Sequence, residues 1–171
     1  HYRDQQGRLV SCEHAANRIS RTESDGTIVT LVEMWQGGRL NSPNDLVVKS
    51  DGTIWFTDPD YGILSDREGN QRDSELDGNF TYRFDPASNE LTVVDNVGDR
   101  PNGLAFSPDE KLFYLADTGD PKDITVFDVS DDGKSLSNRR LFAEVRPGAS
   151  DGFRVDELGN IWTSARDGVQ C

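Results

Sequence analysis

The stretch Asn44-Asp45-Leu46-Val47-Val48-Lys49-Ser50-Asp51-Gly52-Thr53-Ile54-Trp55-Phe56-Thr57-Asp58 sets a polar head before a short apolar strand, a polar turn and a second apolar strand. The same order returns twice. Asn102 opens Asn102-Gly103-Leu104-Ala105-Phe106-Ser107-Pro108-Asp109-Glu110-Lys111-Leu112-Phe113-Tyr114-Leu115-Ala116-Asp117. Asp151 opens Asp151-Gly152-Phe153-Arg154-Val155-Asp156-Glu157-Leu158-Gly159-Asn160-Ile161-Trp162-Thr163-Ser164. The heads are 58 and 49 residues apart, a period that suits a propeller or similar array. Equivalent positions of a radial array converge on its axis, so Asn44, Asn102 and Asp151 are expected to lie close together there. Three oxygen-bearing side chains aimed at one point make a site for a hard cation.

Around these stretches the chain reads as all-β. Its 171 residues are 34% hydrophobic, with 16 Gly and 7 Pro and a mean hydropathy of −0.67. That composition suits short strands and many turns better than a deep helical core. Strands are expected near 8–12, 18–22 and 28–32, near 45–49, 53–57, 80–84 and 91–95, at 124–129 and 140–142, and at 152–155 and 161–164. Phe80, Tyr82 and Phe84 alternate onto one face, and Ser24-Asp25-Gly26 marks a hairpin turn. The insertion 63–77, rich in charged and amide residues, is either a rim of the site or an uninvolved surface excursion.

The net charge is −13, from 31 acidic and 18 basic residues. Such a surface repels phosphate backbones, so no nucleic-acid partner is expected. Cys12 and Cys171 form no Cys-x-x-Cys or His/Cys cluster, which argues against zinc or iron–sulfur sites. A disulfide between them has no support. No apolar run approaches the ~20 residues of a membrane-spanning helix. With no visible signal peptide, the expected compartment is the cytoplasm.

Two spellings mislead. Gly148-Ala149-Ser150-Asp151-Gly152 fits a serine-hydrolase elbow, but that motif needs a strand before it and a helix after it. Here Pro147-Gly148 precedes and a strand follows. Asp128-Val129-Ser130-Asp131-Asp132-Gly133 imitates the start of an EF-hand loop, yet its twelfth position is Arg139, so it reads as a hairpin turn.

A lone Pro-Asn-Gly or Ser-Asp-Gly is ordinarily a turn. Repetition in register lifts these three above that reading, and the surrounding residues resemble a known family. Arg39-Leu40-Asn41-Ser42-Pro43-Asn44-Asp45, Trp55-Phe56-Thr57-Asp58-Pro59-Asp60-Tyr61-Gly62, Arg100-Pro101-Asn102-Gly103-Leu104-Ala105-Phe106-Ser107-Pro108-Asp109 and Asp151-Gly152-Phe153-Arg154-Val155-Asp156 are similar to the SMP-30/gluconolactonase/LRE-like family. Cys12-Glu13-His14 is typical of its bacterial gluconolactonase branch. The resemblance covers nearly the whole chain.

What it implies is a six-bladed β-propeller with one divalent metal, calcium first, with Zn2+, Mg2+ and Mn2+ as alternatives. By position Asn102 and Asp151 match metal ligands, and Asn44 matches a substrate-binding residue beside the metal. The family's third protein ligand is a glutamate in a Glu-Gly-Pro stretch, which has no counterpart here. An arginine two positions before the head in animal members is Ser42.

The expected reaction is hydrolysis of a small-molecule lactone such as gluconolactone, because a hard cation polarises a lactone carbonyl and acidifies a bound water. Asp151 is then also the candidate general base. His14 is read as a substrate contact or a structural histidine, and Asp58 and Tyr61 as pocket lining or a strand-end turn. The rival readings are an organophosphate or aryl-ester hydrolase on the same site and a non-catalytic propeller that binds calcium or a protein. The sequence is expected to be a single propeller domain over 1–171: an incomplete arc of about four partial or complete blades, with the first blade and the C-terminal blades missing. Open blade edges then invite self-association.

Overall fold

The computed structural model describes residues 1–171 and divides into two compact units, residues 1–96 and 97–171. The first unit holds two four-stranded antiparallel sheets. One runs β1 (Tyr2–Arg3), β2 (Leu9–Glu13), β3 (Arg18–Thr22) and β4 (Ile28–Val32) in sequence order. After a small hairpin of β5 (Met34–Trp35) and β6 (Gly38–Arg39) come β7 (Leu46–Val48), β8 (Ile54–Asp58), β9 (Phe80–Asp85) and β10 (Glu90–Asp95). A four-residue helix α1 (Tyr61–Leu64) opens the insertion between β8 and β9.

In the second unit β11 (Pro101–Phe106), β12 (Leu112–Asp117), β13 (Asp123–Val129) and β14 (Leu136–Glu144) make a third four-stranded meander. A three-stranded sheet of β15 (Phe153–Val155), β16 (Ile161–Ala165) and β17 (Gly168–Gln170) follows.

Each repeat turns between its first two strands in the same way. An aspartate carboxylate caps the turn: Asp51 Oδ1 accepts the Thr53 N–H at 2.9 Å, Asp109 Oδ1 that of Lys111 at 3.2 Å, and Asp156 Oδ1 that of Leu158 at 3.0 Å. Aspartate favours such turns because its short side chain reaches the main chain two residues on. Strand alternation then sorts the faces. In the first unit Val10, Ile19, Leu40, Leu46, Ile54, Phe56, Tyr82 and Phe84 form one buried cluster, with Phe56 stacked on Tyr82 at 5.1 Å between ring centroids. In the second, Ala105, Tyr114, Ile124, Val126, Phe153 and Ile161 form another. Side chains of this size each gain about 1.5–3 kcal/mol on burial.

Two expectations change. The first sheet is four-stranded, because Tyr2 and Arg3 pair with Val10 and Leu9. The last has a third strand, Gly168–Gln170, pairing with β16. Neither misleading spelling forms its motif: Ser150 is buried with its Oγ 2.6 Å from Thr163 Oγ1, and Ser130–Gly133 is the turn that closes β13 onto β14.

Candidate functional site

In the first unit the candidate residues gather where β2 and β8 end and β7 begins. The Asn44 N–H donates to Thr57 O at 2.9 Å, so the head stands beside the end of β8. Its side chain is half-buried. Just upstream, the Ser42 hydroxyl donates to Pro59 O at 2.5 Å and accepts the Gly62 N–H at 2.8 Å. His14, immediately after β2, packs against Gly62: a β-carbon on Gly62 would lie 2.6 Å from His14 Cδ2 and 2.7 Å from Ser42 Cβ. Tyr61 begins α1 beside them and is half-buried.

Asp58, read from the sequence as pocket lining or a strand-end turn, stands at the end of β8. It is fully buried, and its Oδ2 accepts the Asn41 N–H at 2.8 Å. Burial pushes its carboxyl up to about 7 against the pull of main-chain bonds from Asn41 and Ser42 and the nearby Arg72 charge. The carboxylate therefore serves the main chain ahead of Asn44 rather than an open cleft. Burial and the Asp58 charge also push the Tyr82 phenol up. Cys12 and Cys171 are free thiols, and desolvation holds the Cys12 thiol well above its ordinary range, which suits packing rather than nucleophilic work.

The insertion is fastened to this end of the unit. Arg72 Nη2 donates to Leu40 O at 2.5 Å, Ser74 Oγ to Asn41 Oδ1 at 2.6 Å, Asn41 Nδ2 to Gly78 O at 3.0 Å, and Asn70 Nδ2 to Ala15 O at 3.0 Å. An exposed ion pair joins Arg39 to Glu75 at 2.6 Å.

In the second unit Asn102 and Asp151 occupy adjoining strand heads. The Gly103 N–H donates to Asp151 O at 3.1 Å, and a β-carbon at 103 would lie 2.4 Å from that oxygen. Glycine is what lets the two backbones approach. Asn102 is buried, with its Nδ2 donating to Thr118 Oγ1 at 3.4 Å. Asp151 is exposed, and its N–H donates to Ser164 Oγ at 3.2 Å. What adjoins is the main chain of the two heads, whose side chains are an amide and a carboxylate, both hard oxygen donors.

Sequence reasoning missed Asn41, Arg72 and Asp117 as parts of these surroundings. The signal for Asp117 was in plain view, since it closes the second repeat as Asp58 closes the first.

The family description SMP-30/Gluconolactonase/LRE-like region matches residues 2–170. The chain belongs to this family. Over 148 residues it is 34% identical to a gluconolactonase of Zymomonas mobilis, an alignment spanning 81% of this chain and 40% of that protein. A solved gluconolactonase from Xanthomonas campestris superposes with a TM-score of 0.92 at 44% identity, covering 98% of this chain and 55% of that one. A calcium-binding regucalcin from Agrobacterium tumefaciens shares the fold at a TM-score of 0.70 and 17% identity, over 95% of this chain and 51% of that one. The chain thus spans about half the length of these relatives, and its sheets are blades of a β-propeller.

Proposed function

We propose that this chain carries part of the site of a lactone hydrolase, and that the substrate is a sugar lactone such as gluconolactone, opened to the aldonic acid. The observation that carries the reading is the adjoining pair of heads, Asn102 and Asp151, joined through Gly103 in a chain 44% identical to a gluconolactonase. A divalent cation fits that donor set. Amide and carboxylate oxygens are the ligands calcium prefers, and neither nitrogen nor sulfur stands beside them to favour a softer metal. The calcium binding of the regucalcin that shares this fold makes calcium the first ion to test.

Asn102 and Asp151 would hold the cation, which would supply Lewis acidity for a lactone carbonyl. The protein's own groups do the rest. Asp151 takes a proton from the attacking water as general base. The water oxygen bonds to the acyl carbon, the ring carbon–oxygen bond breaks, and Asp151 returns its proton to the departing oxygen, which becomes the new hydroxyl. Asn44, His14 and Tyr61, all in the first unit, are the candidate substrate contacts.

Assay of gluconolactone hydrolysis with added calcium tests the reading. Asp151→Ala is expected to abolish turnover. Asn102→Ala is expected to weaken calcium binding about tenfold, since an amide ligand supplies a dipole rather than a charge. Near-normal turnover of Asp151→Ala at saturating calcium would overturn the assignment.

A further inference from the structure

Each repeat closes on an oxygen-bearing residue whose side chain turns back onto the start of its own blade. Asp58 ends β8, and its Oδ2 accepts the N–H of Asn41 at 2.8 Å. Asp117 ends β12. Its Oδ2 accepts the N–H of Asp99 at 2.7 Å and its Oδ1 that of Arg100 at 2.9 Å. In both blades a bonded residue stands three positions before the head, Asn41 before Asn44 and Asp99 before Asn102, and Asp117 holds Arg100 as well. In the last blade Ser164 shortens the device to a hydroxyl, which accepts the N–H of Asp151 itself at 3.2 Å and donates to Gly152 O at 3.4 Å.

Both carboxylates are buried, Asp58 at 0% exposure and Asp117 at 2%. A carboxylate taken out of water for main-chain partners is costly unless those bonds are made well, and once made they are among the stronger hydrogen bonds available. Turn chemistry would explain one such contact. It does not explain the same offset ahead of two heads.

We propose that Asp58 and Asp117 are positioning residues: Asp58 orients the backbone that presents Asn44 to substrate, and Asp117 orients the backbone that presents Asn102 to the cation. This rests on the function proposed above, and it adds a division of labour between two chemically identical clamps. Neither aspartate touches substrate or metal; each acts through the head of its own blade.

The test compares Asp58→Asn and Asp117→Asn. Asparagine keeps the shape but replaces the charged acceptor pair with one neutral acceptor and an NH2, which removes one of the two bonds at Asp117 and the charge assistance of the one bond at Asp58. Losing one such bond predicts effects of about tenfold. Asp58→Asn should raise KM for gluconolactone by that factor and leave calcium affinity, measured by calorimetry, unchanged. Asp117→Asn should weaken calcium by that factor. Amide hydrogen exchange should quicken at Asn41 in the first variant alone, and at Asp99 and Arg100 in the second alone.

Should either variant fail to fold, Asp58→Ser and Asp117→Ser, which copy the hydroxyl at 164, are expected to show the same split. Equal loss of calcium affinity and KM in both variants would reduce the aspartates to general structural residues and overturn the proposal. So would unchanged kinetics and unchanged exchange. If the protein neither binds calcium nor opens a lactone, the functional reading fails on its own. The exchange pattern then still decides the clamps: local quickening upholds them, and its absence removes them.

Discussion

A single methyl group at position 62 would stand 2.6 Å from the His14 ring and 2.7 Å from Ser42 Cβ. Overpacking of this kind costs about 1–3 kcal/mol, so Gly62→Ala should lower the denaturant midpoint and displace His14. An unchanged midpoint would show that the imidazole swings aside without cost. Asp58 has its own signature in pH. Its folded carboxyl is pushed up to about 7 from 3.8, so between those values the folded chain holds a proton that the unfolded chain has released. Stability from this group is therefore greatest below about pH 4 and declines as pH rises toward 7. Asp58→Asn has no such proton. The stability difference between parent and variant, from urea unfolding across that window, should shift against the parent as pH rises; a flat difference would contradict the assigned burial.

Among the elements, the insertion after β8 is a fastened arm rather than a loose excursion. Arg72 and Ser74 tie it to Leu40 and Asn41, on the segment that leads to Asn44. Arg72→Ala removes a charge-assisted bond worth about 1.5–3 kcal/mol and should quicken amide exchange across 66–77. Glu75→Gln, at an exposed pair, should change stability by less than about 1 kcal/mol. If the two substitutions affect the arm equally, the Arg72 bond is not what holds it. The abutment of β11 and β15 makes the companion case. Gly103→Ala drives a methyl into Asp151 O, so it should cost about 1–3 kcal/mol and weaken calcium binding along with stability. Calcium affinity equal to the parent's would mean the two heads need not adjoin.

For the molecule as a whole, a cation bound only by the folded state stabilises it by mass action. At a hundred times its Kd calcium should add about 2.7 kcal/mol, read as a rise in Tm that a chelator reverses. A net charge of −13 attracts any cation diffusely, so potassium at equal ionic strength is the control. Asp151→Ala should abolish the calcium-specific part of the rise. A rise that potassium reproduces in full would remove the metal site from the proposal.

The amino-acid sequence alone determined the all-β class, the repeat and most strands, because period-two alternation and Asp-capped turns are local effects that neighbouring residues settle among themselves. Phe80–Asp85 and Asp123–Val129 were legible for that reason. Strands of two or three residues, Tyr2–Arg3 and Gly168–Gln170, are too short to alternate, and only pairing with a neighbour defines them. β14 runs over Leu136–Glu144, longer than its apolar core of 140–142 suggests, since its exposed polar residues are held by the ladder to β13 rather than by burial. The heads Asn44, Asn102 and Asp151 stood out by register. What Asp58 does was decided only by tertiary structure. A carboxylate at a strand end can face a cleft or its own backbone, and the choice depends on what packs around it. Here Asn41, 17 residues away, supplies the N–H that turns it inward.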